Sequence, residues 1–169
     1  MNPHLKDVVK EELQKLLDVD FIYLISDSWW VSPLVIVPNK NGKWRICVDY
    51  RELNKATQKE HFPLPFIDQV LDTLAGKQFF SFLHGFSGYN QIQIAPEDQD
   101  KNTFTCSWGT FAYRVFPFGL CNAPATFKRV ILSIFSDLIN EGLEFYMDDF
   151  TPYRTDFDQD LSNMEKVLE

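Results

Sequence analysis

The 169-residue chain is 45% hydrophobic and 15% aromatic, with a formal net charge of −8. This composition predicts one packed globular domain and excludes a disordered chain. No charge-free apolar run approaches the roughly 20 residues of a membrane helix, and the charged residues 1–12 do not resemble a signal peptide. We therefore expect an intracellular, cytoplasmic protein that is not secreted and has no membrane partner.

The charges are unevenly distributed along the chain. Residues 40–59 carry six Lys and Arg against two acids, a net +4, whereas residues 137–169 carry ten acids against two cations, a net −8. A basic segment of this kind is compatible with nucleic-acid binding or with an ordinary solvated face. Cys47, Cys106 and Cys121 are odd in number and widely spaced, so small buried thiols are expected rather than disulfides or a zinc site.

The first half of the chain predicts two helices and a hairpin. Apolar residues from Leu5 to Leu17 recur at helical spacing and predict an amphipathic helix. The apolar run 34–37 predicts a strand, and "NKNGKW" predicts a turn into a returning strand over residues 43–50. After the proline-stiffened connector "HFPLPF", the pattern from Ile67 to Leu74 predicts a short helix that ends near Gly76.

The second half predicts further hairpins between helices. In chain order, the expected elements are a strand over 79–83 leading to His84, a strand over 91–95, a short helix opened by Pro96, a hairpin of 104–106 with 110–115, a helix over 124–138, a hairpin of 143–147 with 150–153, and a helix from Asp156 onward. Helices and hairpins alternate without βαβ regularity. The predicted fold class is α+β with a mostly antiparallel sheet.

The string "YMDDF", residues 146–150, places two adjacent carboxylates in a predicted hairpin bend. Such carboxylates repel each other unless a cation lies between them, and Mg²⁺ prefers oxygen ligands. The same residues are also ordinary turn formers. His84, at the end of its predicted strand, is compatible with a ligand, a base or a satisfied core residue.

Five blocks occur in a fixed order: "SDSWWVSPLVIVPNKNGKWRICVDYRELNKAT", "FPLP", "FSFLHGFSGYNQI", "DKNTFTCSWGTFAYRVFPFGLCNAPATF" and "YMDDF". Together they resemble the reverse transcriptases of gypsy-class long-terminal-repeat retrotransposons, over almost the whole chain. The resemblance implies a right-hand polymerase fold, with fingers over residues 1–77 and 96–118, palm over residues 78–95 and 119–169, and no thumb.

The resemblance also implies an activity and its partners. The expected activity is RNA-directed DNA polymerisation, a nucleotidyl transfer assisted by two Mg²⁺ ions that three aspartates hold. The expected partners are an RNA or DNA template with its primer, deoxynucleoside triphosphates, and the remaining polyprotein domains, namely thumb, RNase H and integrase.

Two of the three metal-binding aspartates correspond to Asp148 and Asp149, but His84 stands at the position of the third. A neutral imidazole suits Zn²⁺ or Ni²⁺ better than Mg²⁺, and an imidazolium would add positive charge to a cation site. We therefore expect this copy to be inactive or strongly impaired. Decay of a transposon copy, a repurposed non-polymerising subunit and an altered metal site are the alternative explanations.

The resemblance assigns nucleotide-binding roles to five residues. Lys43 and Arg45 correspond to cations at the fingers tip that grip the triphosphate, and the planar Arg45 guanidinium suits bidentate phosphate contact. Tyr89 corresponds to the aromatic residue under the incoming sugar, with a core tyrosine as the alternative. Phe118 corresponds to a residue beside the nucleotide, and Gly119 permits close backbone approach.

Arg51 and Asn54, in "DYRELNK", correspond to the template-facing region of the fingers. For Arg51, a structural pairing with Glu52 or Asp49 is the alternative. The second function considered for the whole chain is a catalytically silent subunit, derived from a reverse transcriptase, that binds nucleic acid or another subunit.

Overall fold

A computed structural model describes residues 3–38, 44–63, 66–139 and 141–168. The chain divides into two compact units, the first formed by residues 1–59 and 89–123 and the second by residues 60–88 and 124–169. No helix in the described ranges is long and apolar enough to cross a membrane.

The secondary structure follows the predicted alternation of helices and hairpins. The α-helices of the described residues are α1 (Pro3–Asp18), α2 (Arg51–Ala56), α3 (Ile67–Leu74), α4 (Pro96–Gln99), α5 (Ala123–Ile134) and α6 (Phe157–Leu168). The strands are β1 (Ile22–Leu24), β2 (Val31–Pro38), β3 (Trp44–Val48), β4 (Phe79–Phe80), β5 (Leu83–His84), β6 (Thr103–Cys106), β7 (Gly109–Tyr113), β8 (Leu143–Tyr146) and β9 (Asp149–Arg154).

The first unit is built on a five-stranded sheet in the order β1-β7-β6-β2-β3. Its pairings are antiparallel except for β2 with β6, which run parallel. The apolar stripe of α1 contributes Val9 and Leu13 to a core that also contains Ile22 and the fully buried Phe104. The rings of Phe104 and Phe111 stack with centroids 5.8 Å apart, so the hairpin of β6 and β7 anchors this core.

The second unit is organised around β9. This strand pairs with β8 through the register Phe145↔Phe150, and with β4 and β5 through Phe80↔Tyr153 and Leu83↔Phe150. Helix α6 packs against β9 and helix α3 packs against β8. Because β9 is paired along its length, the residues at its start are held in a defined position.

The predicted strand over 79–83 is divided into β4 and β5, although both keep one register along β9. Ser81 lies opposite Pro152 and donates its backbone N–H to the Pro152 carbonyl at 3.1 Å. Proline has no N–H to return a hydrogen bond, which interrupts the ladder at this point. The continuation of the register beyond the break places His84 opposite Asp149.

Three other predictions required correction. The strand over 91–95 is reduced to one bridge, Gln93↔Val115, because a 3₁₀ turn over Gly88–Gln91 occupies its start. The helix predicted to reach Leu138 ends at Ile134 and continues as turns. The three cysteine thiols are free and half-buried rather than buried. Strand β1 and helix α2 were not predicted, and the hairpin tip at residues 41–42 lies outside the described residues.

Candidate nucleotidyl-transfer site

The second unit brings His84, Asp148 and Asp149 to one end of its sheet. His84 is the last residue of β5, and its Cα partner across the antiparallel ladder is Asp149, the first residue of β9. The two side chains are 71% and 70% exposed, and His84 Nδ1 lies 2.8 Å from Asp149 Oδ1. A carboxylate only accepts hydrogen bonds, so Nδ1 carries the shared hydrogen. The sequence correctly predicted the strand end, but His84 is exposed and not a core residue.

Asp148 differs from Asp149 in its surroundings. The pair Tyr146↔Asp149 closes a two-residue turn of Met147 and Asp148, with Met147 at a positive φ of 54°. The Oδ1 atom of Asp148 is buried and has no hydrogen-bond partner among the described residues. Burial raises the pKa of Asp148, an effect that His84 opposes and the neighbouring charge of Asp149 reinforces. The two adjacent carboxylates are therefore chemically distinct.

The chain after His84 lies close to this turn. Gly85 donates its backbone N–H to the Asp148 carbonyl at 2.7 Å, and a Cβ on Gly85 would lie 3.3 Å from that same carbonyl oxygen. A Cβ at this position would require the strand end or the turn to shift by a few tenths of an ångström. The close approach of the Asp148 carbonyl therefore gives a local structural reason for glycine at position 85.

The donor set does not fit a pair of hard divalent cations. Within the described residues, no three His, Cys, Asp or Glu side chains are grouped as ligands for one metal ion. The imidazole of His84 contacts an oxygen of Asp149, which engages one of the few hard donors at this end of the sheet. Imidazole is a poor ligand for Mg²⁺, whereas carboxylate oxygens are good ones.

Four of the other predicted site residues form two contacts within the first unit. The Tyr89 and Phe118 rings meet edge to face, with centroids 6.5 Å apart and planes inclined by 63°. Phe118 is 82% exposed, while Tyr89 is half-buried. Two residues far apart in the sequence and both predicted to bind the nucleotide are therefore neighbours.

Asn54 and Gly119 form the second contact. The Asn54 amide donates to the Gly119 carbonyl at 2.8 Å and accepts the Cys121 backbone N–H at 2.9 Å. Gly119 has φ of 105°, which L-residues rarely adopt, and a Cβ there would meet only ordinary contacts. Glycine is required at this position by the backbone conformation rather than by lack of space.

Asn54 has a bracing role, because its two hydrogen bonds hold the backbone at residues 119 and 121. This role was not predicted, because nothing in the sequence pattern links α2 to a turn 65 residues later. Arg51 adopts the structural alternative considered for it: its guanidinium pairs with Asp49 through Nη2–Oδ2 at 2.6 Å. Arg45 is exposed on β3. Lys43 lies outside the described residues.

The comparisons with known proteins identify the family of the chain. Residues 37–169 match the family described as reverse transcriptase (RNA-dependent DNA polymerase). The chain belongs to the reverse transcriptase family. It is 35% identical over 99% of its length to the retrovirus-related Pol polyprotein from transposon 412 of Drosophila melanogaster, and it spans 14% of that relative. It is 36% identical over 74% of its length to an RNA-directed DNA polymerase homolog of Oenothera berteroana, of which it spans 90%.

Solved structures establish the fold of this reverse transcriptase domain. The native foamy virus protease-reverse transcriptase superposes on 99% of the chain with a TM-score of 0.87 at 24% identity. A second structure of the foamy viral enzyme, in complex with RNA/DNA hybrid, superposes with a TM-score of 0.88 at 22% identity. The chain spans 22% of each of these neighbours. The predicted family, the retrotransposon origin of its relatives and the α+β polymerase fold are confirmed.

Proposed function

We propose that the chain is the fingers and palm portion of an RNA-directed DNA polymerase whose nucleotidyl-transfer site is strongly impaired or inactive. The fingers would comprise residues 1–77 and 96–118, and the palm residues 78–95 and 119–169. One observation carries the proposal of impairment. His84 occupies the strand end opposite Asp149, and its imidazole contacts the Asp149 carboxylate at 2.8 Å.

The physical argument compares the two donor sets. Reverse transcriptases use divalent metal ions, and Mg²⁺ takes carboxylate oxygens in preference to nitrogen. Replacing an aspartate by His84 removes one negative charge and two hard oxygen donors. The loss of transition-state stabilisation would be at least about 4 kcal/mol, equivalent to roughly a thousandfold in rate. In this proposal Asp148 and Asp149 remain as metal ligands, but two carboxylates provide too few oxygen donors and too little negative charge for the metal site.

Nucleotide binding is proposed for a separate group of residues. The exposed Arg45, together with Lys43, would contact the triphosphate. The Arg45 guanidinium suits this role because it can form bidentate hydrogen bonds to phosphate oxygens. Tyr89 and Phe118 would present aromatic surface to the incoming nucleotide, which the edge-to-face contact of their rings supports. Gly119 would keep the backbone beside Phe118 unobstructed.

Template binding by Arg51 and Asn54 is proposed in an indirect form. Both side chains are already engaged within the first unit, Arg51 with Asp49 and Asn54 with the backbone of residues 119 and 121. They would shape the surface that faces the template rather than contribute free donors. The proposed nucleic-acid partner is a primer with its RNA or DNA template.

A second candidate function is a catalytically silent subunit that binds nucleic acid. The paired aromatic residues Tyr89 and Phe118 and the exposed Arg45 favour it, because none of them depends on the metal-binding carboxylates. Binding that relies on phosphate contacts would weaken steeply as salt concentration rises. Salt-independent binding would contradict this candidate.

Primer extension tests the main proposal. The chain would be joined to the thumb and RNase H of a related Pol polyprotein and assayed on an RNA template, with His84 and with His84→Asp. We expect extension from the His84→Asp protein alone. A His84→Asp, Asp149→Asn double variant controls for the carboxylate site and should be inactive. Equal, robust extension by both forms would overturn the proposed impairment.

A further inference from the structure

A cavity of about 250 Å³ lies within the second unit, between helices α3 and α5 and strand β8. Apolar walls are provided by Val70, Leu132 and Phe145, and polar groups by Thr73, Lys128 and Glu144. A water molecule takes about 30 Å³ of liquid volume, so the cavity has room for several waters or for one small organic molecule. It is lined by none of the proposed nucleotidyl-transfer residues.

Glu144 is the unusual residue of this cavity. It is only 9% exposed, and its Oε1 atom is buried without a hydrogen-bond partner among the described residues. Its side chain is within hydrogen-bonding reach of the Thr73 hydroxyl, but that hydroxyl also lies 3.0 Å from the Gln69 carbonyl and has one hydrogen for the two acceptors. A buried polar atom without a partner is costly, so the protein itself leaves the Glu144 carboxylate incompletely satisfied.

Lys128 does not supply that donor. Its Nζ donates to the Pro63 carbonyl at 2.8 Å and lies 5.8 Å from the centroid of the Phe62 ring. The Lys128 ammonium therefore makes these contacts away from the Glu144 carboxylate. The negative charge of Glu144 has no ion-pair partner among the described residues that line the cavity. The Lys128 ammonium keeps its charge and two further N–H donors, whereas Glu144 is the acidic side chain in the lining and would repel an anionic ligand.

We propose that the cavity binds a small organic cation, an ammonium group on an apolar body, with Glu144 as the anchoring carboxylate. The ammonium would donate to the Glu144 carboxylate, and the apolar body would pack against Val70, Leu132 and Phe145. Burial of the carboxyl raises the pKa of Glu144, as expected for an acid whose charge has no counter-ion. The ammonium could belong to a free amine or to a lysine side chain.

Solution NMR on the full chain tests this site, with the methyl groups of Val70 and Leu132 as reporters. The probes are benzylamine, its neutral analogue benzyl alcohol, and benzoate. We expect saturable shifts with benzylamine and affinities at least about tenfold weaker for the other two, because only the ammonium makes a charge-assisted hydrogen bond to Glu144. A fourth probe, Nα-acetyl-lysine amide, distinguishes the sources: tighter binding than benzylamine assigns the site to a lysine side chain, and weaker binding to a free amine.

Two variants connect the binding to the carboxylate. Glu144→Gln keeps the shape of the side chain and should weaken benzylamine binding by about tenfold or more. Glu141→Gln changes an exposed acid three residues earlier and should leave binding unchanged. The proposal is overturned if benzyl alcohol binds as tightly as benzylamine, if Glu144→Gln retains full affinity, or if no probe gives saturable shifts and the cavity holds water only.

Discussion

His84 and Asp149 are cross-strand partners, and their side chains meet at 2.8 Å between Nδ1 and Oδ1. The contact follows from the register of β5 on β9, which places both side chains on the same face of the sheet. An aspartate at position 84 would set two carboxylates opposite each other, an arrangement that a bound cation stabilises. The histidine instead satisfies Asp149 within the protein.

Direct metal binding provides the first prediction. His84→Asp should raise the affinity of the chain for Mn²⁺ by at least about tenfold, or ~1.4 kcal/mol, because it replaces an imidazole with two oxygen donors. Electron paramagnetic resonance of free Mn²⁺ measures this affinity without any enzymatic assay. Adding Asp149→Asn to the His84→Asp variant should abolish the gain. An unchanged affinity in the His84→Asp protein would indicate that the carboxylates do not form a metal site.

Asn54 provides the second prediction. Asn54→Ala should destabilise the chain by about 1–3 kcal/mol, because the Gly119 carbonyl and the Cys121 N–H both lose their side-chain partner. Asn54→Asp should also destabilise it at neutral pH, since a carboxylate accepts from Cys121 but repels the Gly119 carbonyl. Below about pH 4 that carboxyl becomes protonated and can donate, so the loss should shrink.

Urea unfolding of the two Asn54 variants at pH 3 and pH 7 measures both effects. Lys55→Ala on the exposed side of α2 is the matched control, because the ion pair of Lys55 within the described residues is with the exposed Glu52. Such surface pairs contribute about 0–1 kcal/mol. If Asn54→Ala were no more destabilising than Lys55→Ala, the bracing role of Asn54 would be wrong.

Gly119 provides the third prediction. Gly119→Ala should cost about 1–3 kcal/mol through backbone strain, since its φ of 105° is unfavourable for a residue with a Cβ. The nearest atoms to that Cβ are 3.7 Å or more away, so a steric clash is not expected. Gly76→Ala, at φ of 79° with open space around it, is the matched control and should also destabilise the chain. Stability unchanged by Gly119→Ala would refute the strain argument.

The sequence predicted the local elements and the carboxylate hairpin well, for identifiable physical reasons. Apolar periodicity predicted α1, and "YMDDF" between two apolar runs predicted the β8–β9 hairpin, because both signals are local. The alternation of apolar and polar residues over 91–95 wrongly predicted a strand. This pattern does not indicate that a 3₁₀ turn occupies the start of the segment. The break at Ser81 likewise depends on Pro152, a residue paired with it only in the folded sheet.

Side-chain contacts were less predictable than elements. The resemblance identified Tyr89 and Phe118, and their mutual contact is consistent with a shared site. The Asn54 contacts join residues separated by more than 60 positions, which no single-sequence pattern encodes. The burial of Glu144 in β8 was not predicted from the sequence, because it depends on how α3 and α5 pack against this strand.

Glu144 provides the last prediction, through the pH dependence of stability. Burial raises the pKa of Glu144 in the folded chain above its ordinary value of 4.5, and the hydrogen bond with Thr73 opposes this only in part. Between the unfolded and folded pKa values, the folded chain binds more protons than the unfolded chain. The contribution of Glu144 to stability is therefore present below pH 4.5 and is lost as pH rises through the folded pKa.

Glu144→Gln removes this titration while keeping the volume of the side chain. The variant should gain stability relative to the native chain as pH rises from 4 to 7, with Lys128 and Tyr153 as the other titratable groups near the carboxyl. Tyr153 contributes no charge in this range, because burial and the charge of Glu144 raise its pKa above 10.0. Urea unfolding of the two proteins at pH 4 and pH 7 measures the difference, with Glu141→Gln as the exposed control. A stability difference that stays constant across this range, or one that Glu141→Gln reproduces, would show that Glu144 does not carry the buried charge inferred for it.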